Sequence, residues 1–155
     1  MQRTRRSQAF ESLERERTLN LRQLLLKASR NVNSQVVDGL RARGFRSLRA
    51  MHTTLLSNMD LAGSTVTAIA ERAGITKQAM GRLAAGLEAA GYLKIESDAK
   101  DCRLRVIRFT PSGEKLMRES FDVMAAVEKQ FERRLGREEY RVLREGLMAL
   151  QKLPV

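Results

Sequence analysis

The stretch AGITKQAMGRLAAGLEAAGYLKI, residues 73–95, decides how the rest of the chain is read. Its spacing predicts a helix from Lys77 to about Ala90, with Thr76 as N-cap and Gly91 as the stop. The preceding segment TVTAIAERA, residues 65–73, predicts a shorter helix capped by Ser64 or Thr65 and ended by Gly74. Helix, tight turn at Ala73-Gly74-Ile75 and longer helix together make a helix-turn-helix pattern. On the second helix Ala79, Met80, Leu83 and Leu87 face inward. Lys77, Gln78, Gly81, Arg82 and Ala85 face outward, giving two cations, one amide and little bulk. A helix with so bare a face fits a DNA major groove about 12 Å wide. There Gln can pair with adenine, Arg with guanine and Lys with phosphate, and Thr76 with the helix start suits a phosphate as well. Taken alone, Gly81, Ala84, Ala85 and Gly86 suit packing against another helix equally well.

The residues that follow decide between these readings. YLKIE and RLRVIRFT are rich in β-formers and predict two short strands joined by a polar link. Lys100, Arg103 and Arg105 lie at or near the tip. A basic hairpin directly after a helix-turn-helix is a wing, able to place a cation in the neighbouring minor groove. Asp101, two residues before Arg103, is placed to hold that guanidinium in one rotamer. Thr110-Pro111 then starts a helix with Met117, Phe121, Met124, Val127, Phe131 and Leu135 at helical spacing. Gly136 breaks it. A last helix places Tyr140, Leu143, Leu147 and Leu150 on one face.

Upstream, residues 1–11 read as a flexible basic arm. A long helix is expected from Ser12 to Arg43, with its stripe at Leu21, Leu24, Leu25, Ala28, Val32, Val36 and Leu40 and its stop at Gly44. That stripe is long for a small domain, which implies packing against more than its own core. Residues 47–59 predict a further helix, with Ser47 as N-cap and Leu48, Met51, Leu55 and Met59 inward. The fold class is therefore mainly α with a small β-hairpin wing: four helices, a hairpin and two helices.

Composition sets the function classes. A chain of 155 residues, 43% hydrophobic and 30% charged, can bury one core, and with 5% aromatics and no Trp that core is aliphatic. A net charge of +11 calls for an anionic partner. The lone Cys102 excludes a disulfide framework and a Cys-rich zinc site, and suits a cytoplasmic protein. No apolar run is long enough for a membrane span or a signal peptide. Cys102 and His52 fall on separate elements, and no phosphate loop, zinc motif or nucleophile elbow occurs. No enzyme activity, cofactor or metal is expected.

DAKDCRLRVIRFT followed by PSGEKL resembles the wing signature of the MarR family of bacterial winged helix-turn-helix regulators, through Asp101, Arg103, Phe109-Thr110 and Gly113. AGITKQAMGRLAAGLEAAGYL resembles that family's recognition-helix segment, including Leu87-Glu88 and Gly91. The resemblance runs from about Leu19 to Leu153. It implies a winged helix-turn-helix lobe over 47–110 and a helical dimerisation region from 12–46 and 111–155. It further implies a homodimer on a pseudo-palindromic DNA duplex. Carried over by position, Thr76, Lys77, Gln78, Gly81 and Arg82 face DNA, with Lys100 and Arg103 at the wing and Ser64 or Thr65 on phosphate. It also implies a repressor released by a small aromatic or phenolic effector, in a cleft near Phe45, Met51, His52, Leu55, Phe121 and Met124. The chain departs from the pattern at Ala79, Gly81, Ala85 and Gly86, where the family often has Ser, Thr, Asp or Arg. Cys102 stands for the commoner Arg and is read as incidental. The sparse reading face keeps an alternative open, a sequence-tolerant architectural DNA-binding protein.

Overall fold

Three threonines fix where three of the helices begin. In the computed structural model, which describes residues 2–97 and 105–152, Thr65, Thr76 and Thr110 are extended and accept at Oγ1 from the amides of Ala68, Ala79 and Gly113, at 3.2, 3.2 and 3.1 Å. Each bond satisfies a donor that the first helical turn leaves open. The elements in order are α1 (Gln2–Leu19), α2 (Leu21–Ala42), α3 (His52–Leu56), β1 (Ser64–Thr65), α4 (Val66–Ala73), α5 (Lys77–Ala89), β2 (Leu93–Ser97), β3 (Arg105–Phe109), α6 (Pro111–Leu135) and α7 (Arg137–Leu150). Gly74 and Gly91, at φ 64° and 78°, take the left-handed conformation that ends α4 and α5.

The sheet has three strands, not two. Its order is β1-β3-β2, antiparallel throughout, with Thr65 opposite Val106 and Ile95 opposite Ile107. β1 is only two residues long, too short to leave a periodic signal, and forms because the chain runs beside β3 as it enters α4. The fold is mainly helical with a small winged sheet, as expected.

The N-terminal half differs from the sequence reading in three places. Residues 1–11 were expected as a flexible arm, yet the chain is helical from Gln2, in a segment rich in Arg, Glu, Gln and Leu, which favour helix. The single helix expected over 12–43 is two. Asn20 divides it: its Nδ2 donates to the carbonyls of Glu16 and Arg17 (3.2 and 2.8 Å), while its Oδ1 accepts from the Gln23 amide at 3.0 Å. One side chain thus closes α1 and caps α2. The helix expected over 47–59 shrinks to α3. Ser47 caps nothing; turns occupy 45–51, and Met51 at the N-cap position makes no side-chain cap bond.

The chain divides into two compact units, residues 1–35 and 36–155. The first holds α1 and most of α2, and its apolar side chains Phe10, Leu13, Leu19, Leu21, Leu24 and Leu25 are exposed. The second holds the core. Leu48, Leu55, Ile69, Met80, Leu87, Leu93, Ile107 and Leu116 are fully buried. Within it α2 and α6 cross closely at Gly39, where a Cβ would stand 2.6 Å from Val123 Cγ1. Gly113 meets the backbone still more tightly: a Cβ there would lie 1.9 Å from the Tyr92 carbonyl oxygen. The buried seam of α6 is Leu116, Val123 and Val127; Phe121 and Leu135, read at helical spacing on this helix, are exposed. No residue of α7 is buried, and Val142, Leu143, Leu147, Met148 and Leu150 stand open.

Candidate nucleic-acid interface

The pair α4 and α5 is set by backbone bonds that its sequence dictates. Ile75 N donates to Ala70 O at 3.1 Å around Gly74, and Ile75 is half-buried between the helices. Ile69 and Ala70 of α4, and Met80, Ala84 and Leu87 of α5, fill the interior. Ala79 and Leu83, expected inward, are half-buried; Ala84 takes the deepest place instead. Lys77, Gln78, Arg82 and Ala85 face solvent, as expected. The small residues of α5 divide by use. Gly86 serves packing, since a Cβ on it would sit 3.3 Å from His52 Nε2, whereas a Cβ on Gly81 would meet nothing within 4 Å.

Charge on this face is uncommitted. Lys77, Arg82 and Arg105 form no ion pair with another described residue, in contrast to Arg43 with Glu119 and Arg72 with Asp60. Free cations beside a small residue can meet phosphate and base edges without first breaking an internal pair. The hydroxyls of Thr65 and Thr76 accept from the helix amides, which leaves each hydroxyl proton for an incoming acceptor.

Ser64 is placed differently from expectation. It is buried, its hydroxyl donates to Asp60 Oδ2 at 2.8 Å, and it accepts from the Asp60 amide at 3.0 Å. Its single proton is committed to Asp60, which leaves this buried hydroxyl none to donate to a phosphate, so Ser64 belongs to a clamp. Arg72 completes that clamp, reaching Asp60 Oδ1 and Oδ2 at 2.9 and 2.7 Å and the Asn58 carbonyl at 3.0 Å. First the Arg72 hydrogen bond and then Ser64 hold the Asp60 carboxyl below its ordinary range. From the sheet side, Arg108 Nη1 donates to Ala62 O at 2.6 Å. The loop before α4 is therefore gripped by two guanidinium groups, one from α4 and one from β3. Sequence reasoning missed Asp60, Arg72 and Arg108, because each acts across 12 residues or more except for the Asp60–Ser64 pair. The acid four residues before a cap was the one local signal.

Arg105 is exposed at the start of β3. Lys100 and Arg103, with Asp101 and Cys102, lie outside the described residues. β2 is tied to α5 by a side chain that sequence reasoning did not assign a role, Glu88, whose Oε1 accepts from the Ile95 amide at 2.8 Å.

The six residues expected around an effector differ in burial. Phe45 and Leu55 are core, and Phe45 stacks obliquely on Tyr92 at 5.9 Å. His52 is buried, and its Nδ1 accepts from the Arg49 amide at 3.3 Å. Burial, with the Arg49 charge second, lowers its pKa. Met51 and Phe121 are exposed and Met124 half-buried. Among the described residues no His, Cys, Asp and Glu cluster could hold a metal, and no helix is long and apolar enough to cross a membrane.

Residues 47–104 match the MarR family. No curated protein sequence matches the chain. Among solved structures, the transcriptional regulator BldR of Sulfolobus solfataricus shares 20% identity, covering 88% of this chain and 95% of that one, at a TM-score of 0.66. The repressor CouR, known from Rhodococcus jostii RHA1 and solved on a 23-mer DNA duplex, shares 19% over 88% and 96%, at 0.66. BpsR of Bordetella bronchiseptica, whose DNA binding is regulated by 6-hydroxynicotinic acid, shares 16% over 88% and 96%, at 0.65. At these identities the likeness establishes a common fold along most of the chain.

Proposed function

We infer from a MarR-family winged helix-turn-helix at residues 47–104 that this chain is a DNA-binding transcriptional regulator of that family. One observation carries the reading. The outer face of α5 presents Lys77, Gln78 and Arg82 around Gly81, solvent-facing and with neither cation in an ion pair among the described residues. In a major groove Gln78 and Arg82 read base edges, while Lys77, Thr65 and Thr76 take phosphates. Arg103 and Lys100 supply the cations for the minor groove. The exposed apolar side chains of α2 and α7 support a homodimer, with residues 12–46 and 111–155 as its interface and one α5 per half-site of a pseudo-palindrome. The protein acts as a cytoplasmic repressor, released by a small aromatic or phenolic effector. The ligand-regulated BpsR and CouR bound to p-coumaroyl-CoA, each sharing the fold, support that step.

The bareness of α5 at Gly81 and Ala85 also favours a second reading, a sequence-tolerant architectural DNA binder. Binding to the DNA beside its own gene, with excess competitor, separates the two. The regulator holds that duplex against competitor. Arg82→Ala weakens it about tenfold or more and relaxes discrimination at one base pair. Arg103→Ala lowers the salt slope by about one. Binding that competitor abolishes, or that ignores both substitutions, would favour the architectural reading.

A further inference from the structure

The hydrogen bond from the Ile95 amide to Glu88 joins the reading helix to the wing, and its position in the sheet gives it a purpose. β2 is an edge strand, paired only with β3. The Thr110 amide donates to Tyr92 O at 3.1 Å, which makes that pair hydrogen-bonded. Alternation along the antiparallel ladder then makes Lys94–Arg108 and Glu96–Val106 bonded pairs, and Ile95–Ile107 a non-bonded pair. The Ile95 N–H therefore points away from β3, to the open edge. Left there it would bond only to water. Glu88, in the last turn of α5, turns back across seven residues and takes it at 2.8 Å. The turn between them is already fixed, with Gly91 left-handed and Tyr92 N donating to Leu87 O at 3.0 Å. That turn sets where β2 starts; a second tether two residues into the strand sets its direction.

There is a cost that makes this bond informative. Glu88 puts a negative charge on the very helix that is to lie against phosphate. A neutral or basic residue would serve binding better by charge alone. We propose that Glu88 is a positioning residue: its carboxylate clamps the free edge of the wing to the end of the recognition helix, so that the two are presented to DNA at one fixed angle. The consequence for DNA rests on the regulator reading above; the clamp does not.

Hydrogen exchange at Ile95, measured by NMR on the full chain without DNA, tests the clamp. Glu88→Ala accelerates exchange of that amide roughly tenfold, against unchanged neighbours in α5. Glu88→Gln keeps an acceptor oxygen and restores protection while removing the charge. Unchanged Ile95 exchange in Glu88→Ala overturns the proposal. Duplexes selected from random-sequence DNA test the consequence. Glu88→Ala loses about three- to tenfold in affinity for the selected duplex, whereas Glu88→Gln binds at least as tightly as wild type. If Glu88→Ala binds as tightly as Glu88→Gln, the charge alone mattered and positioning is overturned. If selection yields no consensus, the regulator reading fails, and the exchange result alone upholds or overturns the clamp.

Discussion

Gly81, like Gly146 on α7, is a glycine that nothing inside the described chain asks for, but Gly81 sits on the outer face of α5. Gly39, Gly86 and Gly113 have neighbours where a side chain would go, and Gly74 and Gly91 have positive φ. Gly81 is helical and open. A glycine there costs about 0.5–1 kcal/mol relative to alanine. Gly81→Ala should therefore raise stability by that amount in denaturant unfolding while weakening DNA binding, because the added methyl group stands where a base edge approaches. A variant both more stable and equally tight would remove Gly81 from the interface. His52 makes the second residue-scale prediction. Its folded pKa lies below the ordinary 6.5, so the unfolded chain binds its proton more readily. Its contribution to stability is complete above 6.5 and is lost as pH falls below that value. His52 also lies against Gly86 on α5, so protonation disturbs the back of the reading helix. Thermal melts from pH 7.5 to 5 should show a steeper fall for wild type than for His52→Gln.

At the scale of elements, what could be read in advance was what is encoded locally. Thr65, Thr76, Thr110, Gly74 and Gly91 act through bonds spanning three to five residues, so the ends of α4 and α5 and the start of α6 were legible. β1 was not, because its partner β3 lies some forty residues away and two residues carry no period. The extent of α3 was overestimated because apolar spacing in 47–59 reflects burial of Leu48, Leu55 and Met59 from turns as much as from a helix. The outward set on α5 was legible from spacing; the commitment of Ser64 to Asp60 was not, since an exposed cap and a buried one look alike in sequence. Asn20 offers an element-scale test. Replacing it with alanine removes the cap of α2 and the closure of α1 together, so the two helices should tend to run on as one. Helical content by circular dichroism should hold or rise, whereas Asn20→Gly should lower it.

For the molecule as a whole, the unspent apolar surface lies on α2 and α7. Leu21, Leu24 and Leu25 on α2, and Leu143, Leu147 and Leu150 on α7, are exposed side chains that a lone chain would do better to bury. If they meet in the proposed homodimer, Leu143→Glu with Leu147→Glu should raise the dimer dissociation constant by roughly a hundredfold or more, measured by analytical ultracentrifugation. DNA affinity should fall with it, as half-sites are then bound singly. Unchanged self-association would place the interface elsewhere. The contact at Gly113 has a mechanical meaning as well. With the Tyr92 carbonyl lodged against its Cα, the base of α6 has no slack, and Thr110 ties the same corner through its bond to Gly91 O at 2.6 Å. α6 has 25 residues and is about 37 Å long. It is thus a stiff lever on a tight pivot: a tilt of about 5° at the pivot carries the far end about 3 Å. Motion applied at that far end arrives at the sheet reduced in travel and multiplied in force.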